Sequence, residues 1–137
     1  MNSRVFAVLA TAVCSAWAAP GLAQSSPDDL WEVSSRSTMR DMSTPGTTSR
    51  VCAKSGERDS MVPIQDDCRI TDRQTDGDRT TFRVACTGKE PMSGTGAMTQ
   101  ARDSYRGILK LSTMVDGEAM VITTEYSGRL IGKCTAR

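Results

Sequence analysis

Between Leu30 and Ser127 the chain never keeps a helical period for three turns. Thr, Ser, Val and Ile recur instead in short runs cut by Gly, Pro and Asp. Runs of this kind bury one side only by alternating, which constrains the chain to β-structure. Strands are predicted over residues 30–39, 47–53, 69–74, 79–87, 93–100, 104–115 and 118–127, followed by an irregular tail to Cys134. Pro45-Gly46 is read as the first turn, and residues 54–67 are the least regular stretch. Glycines inside the strand pattern, at Gly94, Gly96, Gly107 and Gly128, are devices that bend a sheet. The expected fold is all-β: a single antiparallel meander of about seven strands, strongly curved and barrel-like, open or closed.

Parity tests two hairpins. A two-residue loop at Asp116-Gly117 sets Thr113 against Met120, Leu111 against Ile122 and Leu109 against Thr124, so apolar meets apolar. At the earlier hairpin, a two-residue loop at Asp76-Gly77 would set Ile70 against Arg83. A three-residue loop, with Gly77 left-handed, pairs Ile70 with Phe82 and Cys68 with Val84, and is the expected register. On the last hairpin Ile108, Met114 and Val121 share a face with Arg106, Lys110 and Glu125. Scattered surface apolars are common. The sharper alternative is a partly covered face, and these three residues are the candidate binding face.

The N-terminal residues read as an export signal. Arg4 supplies the positive end, residues 5–19 the apolar run, and Gly21-Leu22-Ala23 a small-residue cleavage site before Gln24. The expected organisation is a signal peptide over 1–23 and a single β domain over 24–137, exported to the periplasm. Cys14 follows Val13 inside the apolar run, which is wrong for lipid attachment, so it is discarded with the signal. Pro20-Gly21 cuts a run already too short for a bilayer, and no transmembrane segment is expected after cleavage. The chain has 17 basic and 16 acidic residues, and losing Arg4 balances them. That balance implies no face-wide basic bias and argues against nucleic acid or anionic lipid as the main partner.

Chemistry is restricted by the absence of histidine. Ser-His and Cys-His nucleophiles, histidine-bound zinc and a histidine base are excluded. Asp66-Asp67 reads as a solvated turn. Residues 72–77 imitate the start of a calcium loop, but Arg83 stands where a bidentate Glu is required. Met39 and Met42 form the only close methionine pair, and methionine as core filler outweighs copper(I) binding. No catalytic residue, metal or cofactor is expected. Trp31 either anchors the core or lines a ligand cavity.

Four cysteines remain after the signal, and they allow three connectivities. Closing the irregular stretch favours Cys52–Cys68, which leaves Cys86 for Cys134. The cysteines sit among recognisable fragments: Leu30-Trp31-Glu32-Val33, Arg50-Val51-Cys52, Cys68, Cys86-Thr87-Gly88, Met92-Ser93-Gly94-Thr95-Gly96, Asp103-Ser104-Tyr105-Arg106-Gly107 and Tyr126-Ser127-Gly128-Arg129-Leu130-Ile131-Gly132-Lys133-Cys134. In this order they resemble domain of unknown function family 3617, small exported proteins of proteobacteria. The family commonly has Pro-Gly before Leu-Trp-Glu, where this chain has Asp28-Asp29. The resemblance implies a periplasmic location and carries no activity. The expected function is therefore non-catalytic. One form is a domain taking a small apolar ligand within or across its curved sheet; the other is a structural or protein-interaction module of the cell envelope.

Overall fold

The computed structural model describes residues 28–57 and 61–135, so the expected signal peptide lies outside the described residues. Strands β1 (Asp29–Met39), β2 (Met42–Ser43), β3 (Thr47–Ala53), β4 (Cys68–Asp76), β5 (Arg79–Cys86), β6 (Met92–Gln100), β7 (Ser104–Val115) and β8 (Glu118–Lys133) form one antiparallel sheet. β4 to β8 follow one another as a meander. β1 returns to pair with β8 from Asp29 to Met39, and both β2 and β3 line its other edge. The sheet curls without closing, since β3 and β4 remain its two ends.

The last hairpin has the expected register, with Leu111 opposite Ile122 and Leu109 opposite Thr124. Asp116 and Gly117 both have positive φ, as a type I′ turn requires. Three details differ from expectation. The first reversal falls at Arg40-Asp41, both at positive φ, ahead of Pro45-Gly46. β8 runs on to Lys133, because pairing with β1 holds what looked like an irregular tail. The β4–β5 turn is the two-residue Gly77-Asp78, with Asp76 opposite Arg79. A bulge at Asp72-Arg73, where Asp72 has φ 52°, then shifts the register. Ile70 therefore meets Val84, and Cys68 meets Cys86.

That register overturns the expected disulfides. The bridges are Cys68–Cys86 and Cys52–Cys134, in place of Cys52–Cys68 and Cys86–Cys134. Cys68 and Cys86 are direct cross-strand partners, with Cα atoms 3.9 Å apart. Cys52 lies beside Leu30 of β1, whose other neighbour is Gly132 of β8, so Cys134 reaches Cys52 across β1. Restraining the irregular stretch decided nothing, because strand order had already placed the partners. Residues 61–64 are held instead by apolar burial: Met61 and Val62 are inside the core, with Ile64 packed against it.

Among the described residues no second sheet or helix layer covers the sheet, so its inner face is buried largely on itself. Trp31, Phe82, Tyr105 and Tyr126 all lie there, and all are buried. Three of these rings lie on glycines of the neighbouring strand. Phe82 is opposite Gly96, Tyr105 opposite Gly128 and Tyr126 opposite Gly107. A Cβ at any of these glycines would collide with the ring above it. Large and absent side chains thus alternate across the curl, which lets the rings lie close to the backbone. Trp31 and Tyr105 are 5.5 Å apart between ring centres, and Tyr105 and Tyr126 are 6.1 Å apart. The Tyr105 hydroxyl donates to the Met61 carbonyl at 3.3 Å, fastening the segment that begins at Met61 over the core. The Tyr126 hydroxyl is buried with no hydrogen-bond partner among the described residues. Burial, with a smaller contribution from Tyr105, raises the pKa of this phenol well above its ordinary value.

Gly128→Ala should cost about 1–3 kcal/mol in chemical denaturation, the usual range for overpacking. Tyr105→Ala should abolish most of that further cost in a double-mutant cycle, because the colliding ring is gone. A non-reduced peptide map should join Cys52 to Cys134 and Cys68 to Cys86. By loop entropy, removing the wider bridge should cost about 4.5 kcal/mol and the narrower about 3 kcal/mol. Because the folded state raises the pKa of Tyr126, its stabilising contribution holds below the ordinary tyrosine value of about 10 and is lost as pH rises beyond it. Tyr126→Phe should therefore lose less stability than the wild type between pH 9 and 11, read from denaturation midpoints.

Candidate binding face

The outer face of the sheet is built from residues that alternate with the core. Direct pairing aligns them in rows running across the strands. One row passes from Arg79 of β5 through Thr99, Arg106, Ser127 and Ser34 to Thr48 of β3. The next passes from Thr81 through Ala97, Ile108 and Glu125 to Arg36. A third carries Arg83, Thr95, Lys110, Thr123 and Thr38. Ser34 and Thr48 share a hydroxyl hydrogen bond at 3.0 Å.

Between the first two rows lies an open depression of about 730 Å³, edged by Arg79, Arg106 and Arg36 and bordered by Thr99, Ser34 and Ser127. A second depression of about 400 Å³ adjoins it, reaching Arg83 and Lys110. The two share Arg79, Ala97 and Ile108, so they form one track across the sheet. A smaller hollow of about 300 Å³ lies on the other side, where Val62, Phe82 and Met98 meet Thr80 and Gln100.

Charge is segregated on this scaffold. The outer-face acids are few, and two are held: Glu32 by Arg129 at 2.8 Å and Asp72 by Arg83 at 3.7 Å. Glu125 lies opposite Arg36, and Asp76 opposite Arg79. Arg36, Arg79, Arg106 and Lys110 have no carboxylate within 4.0 Å among the described residues. Acids outside the strands occupy the turns, as at Asp41, Asp66, Asp67, Asp78, Asp103 and Asp116. A chain with 17 basic and 16 acidic residues thus presents a basic face, correcting the expectation drawn from net charge.

Ile108, Met114 and Val121 do lie on the outer face, 36%, 64% and 52% exposed. They do not form one patch. Ile108 is in the floor of the track, whereas Met114 and Val121 are near the hairpin tip, beyond Lys110 and Ser112. Their rows alternate with polar ones, which parity on one hairpin could not reveal. The arginines of β1 and β5 escaped sequence reasoning because the strands that align them are distant in sequence. Cys52, Cys68, Cys86 and Cys134 are all consumed in bridges. Among the described residues no cluster of three or more Cys, Asp or Glu side chains is placed to hold a metal ion, and no helix is long and apolar enough to cross a membrane. Met39 faces Met42 across the first turn.

Neither the search of curated proteins nor that of solved structures returned a match. The sequence profile of DUF3617, described as a protein of unknown function, matches residues 28–134, from the residue before β1 to the cysteine after β8. That span takes in the whole curled sheet and both bridges, and the chain belongs to the DUF3617 family.

Proposed function

We propose that this protein is an exported, non-catalytic binding module of the cell envelope that engages its partner on the outer face of the sheet. One observation carries the reading: the inner face is filled by the protein's own rings and the outer face holds the wide track. Trp31 is 2% exposed, Phe82, Tyr105 and Tyr126 are nearly as buried, and Met61 and Val62 cap them. This packing supports a surface mode over an apolar ligand held within the sheet. The periplasmic address rests on the signal-like 1–23 segment, and the two bridges suit an oxidising compartment. The non-catalytic reading rests on the lack of histidine and on a track lined mainly by cations and hydroxyls, with Glu125 the one carboxylate of its larger depression.

The full chain expressed in a Gram-negative host should appear outside the cytoplasm with Gln24 at its N-terminus. It should sediment with envelope material after osmotic shock. Glutamates at Ala97 and Ile108, in the floor of the track, should release it into the soluble fraction while its melting temperature stays within about 4 °C. Retention of that variant on the envelope would count against the outer face. Non-denaturing mass spectrometry should show the bare disulfide-linked chain; a retained apolar molecule would restore the interior-ligand reading.

A further inference from the structure

We infer that the outer-face track binds an acidic polysaccharide, a chain of sugars bearing carboxylate or sulfate groups. The inference rests on the outer-face reading above and names the ligand class for it. Charge complementarity is the first argument. Arg79, Arg106, Arg36, Arg83 and Lys110 line two joined depressions against two carboxylates, Glu125 and Asp72, and of these five cations only Arg83 has a carboxylate within 4.0 Å among the described residues. Guanidinium groups bind carboxylate and sulfate oxygens through paired N–H donors, and bind them more strongly than neutral donors do.

The spacing is the second argument. In the first row Arg79 and Arg106 are separated by one strand carrying Thr99, so their backbones stand about 10 Å apart. Beyond Arg106 the same row continues with the hydroxyls of Ser127, Ser34 and Thr48. Cations interleaved with small hydroxyl side chains suit a polymer that is both charged and polyhydroxylated. The track crosses the sheet from β3 to the β4–β5 hairpin, so the ligand is extended.

Other polyanions fit less well. All four aromatic side chains of the described residues are buried on the inner face, leaving none outside for stacking bases. The strands under the track, β5 to β8 and β1, are paired along both edges, so no backbone is free to add a peptide strand. Of the exposed larger apolar residues among those described, only Ile108 lines the track, whereas Met114 and Val121 are away at the hairpin tip, an arrangement unlike the broad apolar stripe of a membrane-surface element.

A fluorescent heparin oligosaccharide is the probe, titrated by anisotropy against the intact disulfide-bonded protein. Binding is expected at 50 mM salt and should weaken about tenfold or more at 200 mM, since exposed ion pairs are screened. Arg79→Gln with Arg106→Gln should weaken it about tenfold or more, whereas Arg40→Gln, at the first turn, should leave it unchanged. Both variants should keep the wild-type melting temperature, because these side chains are exposed. Uncharged dextran should not bind. Absence of heparin binding would overturn the inference, as would binding indifferent to Arg79 and Arg106. Equal or tighter binding to a single-stranded DNA oligomer or to phosphatidylglycerol vesicles would also overturn it. If heparin fails while the Ala97/Ile108 variant still leaves the envelope, the polysaccharide is refuted and the outer-face reading stands. If heparin binds and that variant stays on the envelope, the outer-face reading fails as an account of retention.

Discussion

The fold depends on how one sheet buries itself. With no second layer to cover it, a sheet must bend around its own side chains, and large rings on the inside of a bend compete for space with the next strand. Here glycine removes the competitor. Gly96, Gly107 and Gly128 each lie under the ring of a directly opposed Phe82, Tyr126 or Tyr105. Each ring gains close contact with backbone while each strand is free to bend, so burial and curvature arise from the same pairs. The two tyrosine pairs are reciprocal across β7 and β8: each strand gives one ring and one glycine. This pairing explains how a chain with so few aromatics, supplemented by Met61, Val62 and Met98, builds a continuous core.

That solution determines where binding can occur. An interior full of rings leaves little room for a ligand, and the alternation that sends them inward sends the intervening residues out. Because β-strand pairing is regular, those residues line up in rows, and small alternating polar residues become a surface with a repeating chemistry. Acids are tolerated in the turns, where Asp suits positive φ, as at Asp41 and Asp116. Bases and hydroxyls occupy the strands. Segregation of charge follows in part from this division between turn and strand chemistry, and a balanced chain thereby acquires a basic face.

What could be read from the sequence was local. Strand positions followed from alternation, and the Asp116-Gly117 register followed from parity together with the turn chemistry of that pair. The bend was legible in Gly96, Gly107 and Gly128, although their partners were not. The disulfides were illegible for two separate reasons. Cys68–Cys86 depended on the bulge at Asp72-Arg73, where a non-glycine residue takes positive φ without an obvious sequence signal. Cys52–Cys134 depended on β1 joining both β3 and β8, a tertiary event that hairpin parity does not reach. The candidate face was read only at Ile108, Met114 and Val121, because Arg36 and Arg79 enter it from strands far from that hairpin. Its rows reach β1 and β3 only once the seam between β1 and β8 is made.

The seam is also the costly step. The hairpins from β4 to β8 close short loops, whereas β1 must find β8 across nearly the whole domain, and loop entropy opposes that search. Several interactions concentrate there. Asp29, at the start of β1, is buried and paired with Lys133. The amide of Cys134 donates to the Asp28 carbonyl at 2.8 Å, and the Cys52–Cys134 bridge ties β3 to the end of β8 across β1. These clasp the half of the track that carries Ser34, Arg36 and Thr48 to the half that carries Arg79, Thr99 and Arg106. If the seam opened, the β4–β8 meander would keep its hairpins but lose β1 and β3 from the track. The Cys52–Cys134 bridge, which sequence reasoning did not pair, therefore helps hold the outer face in one piece.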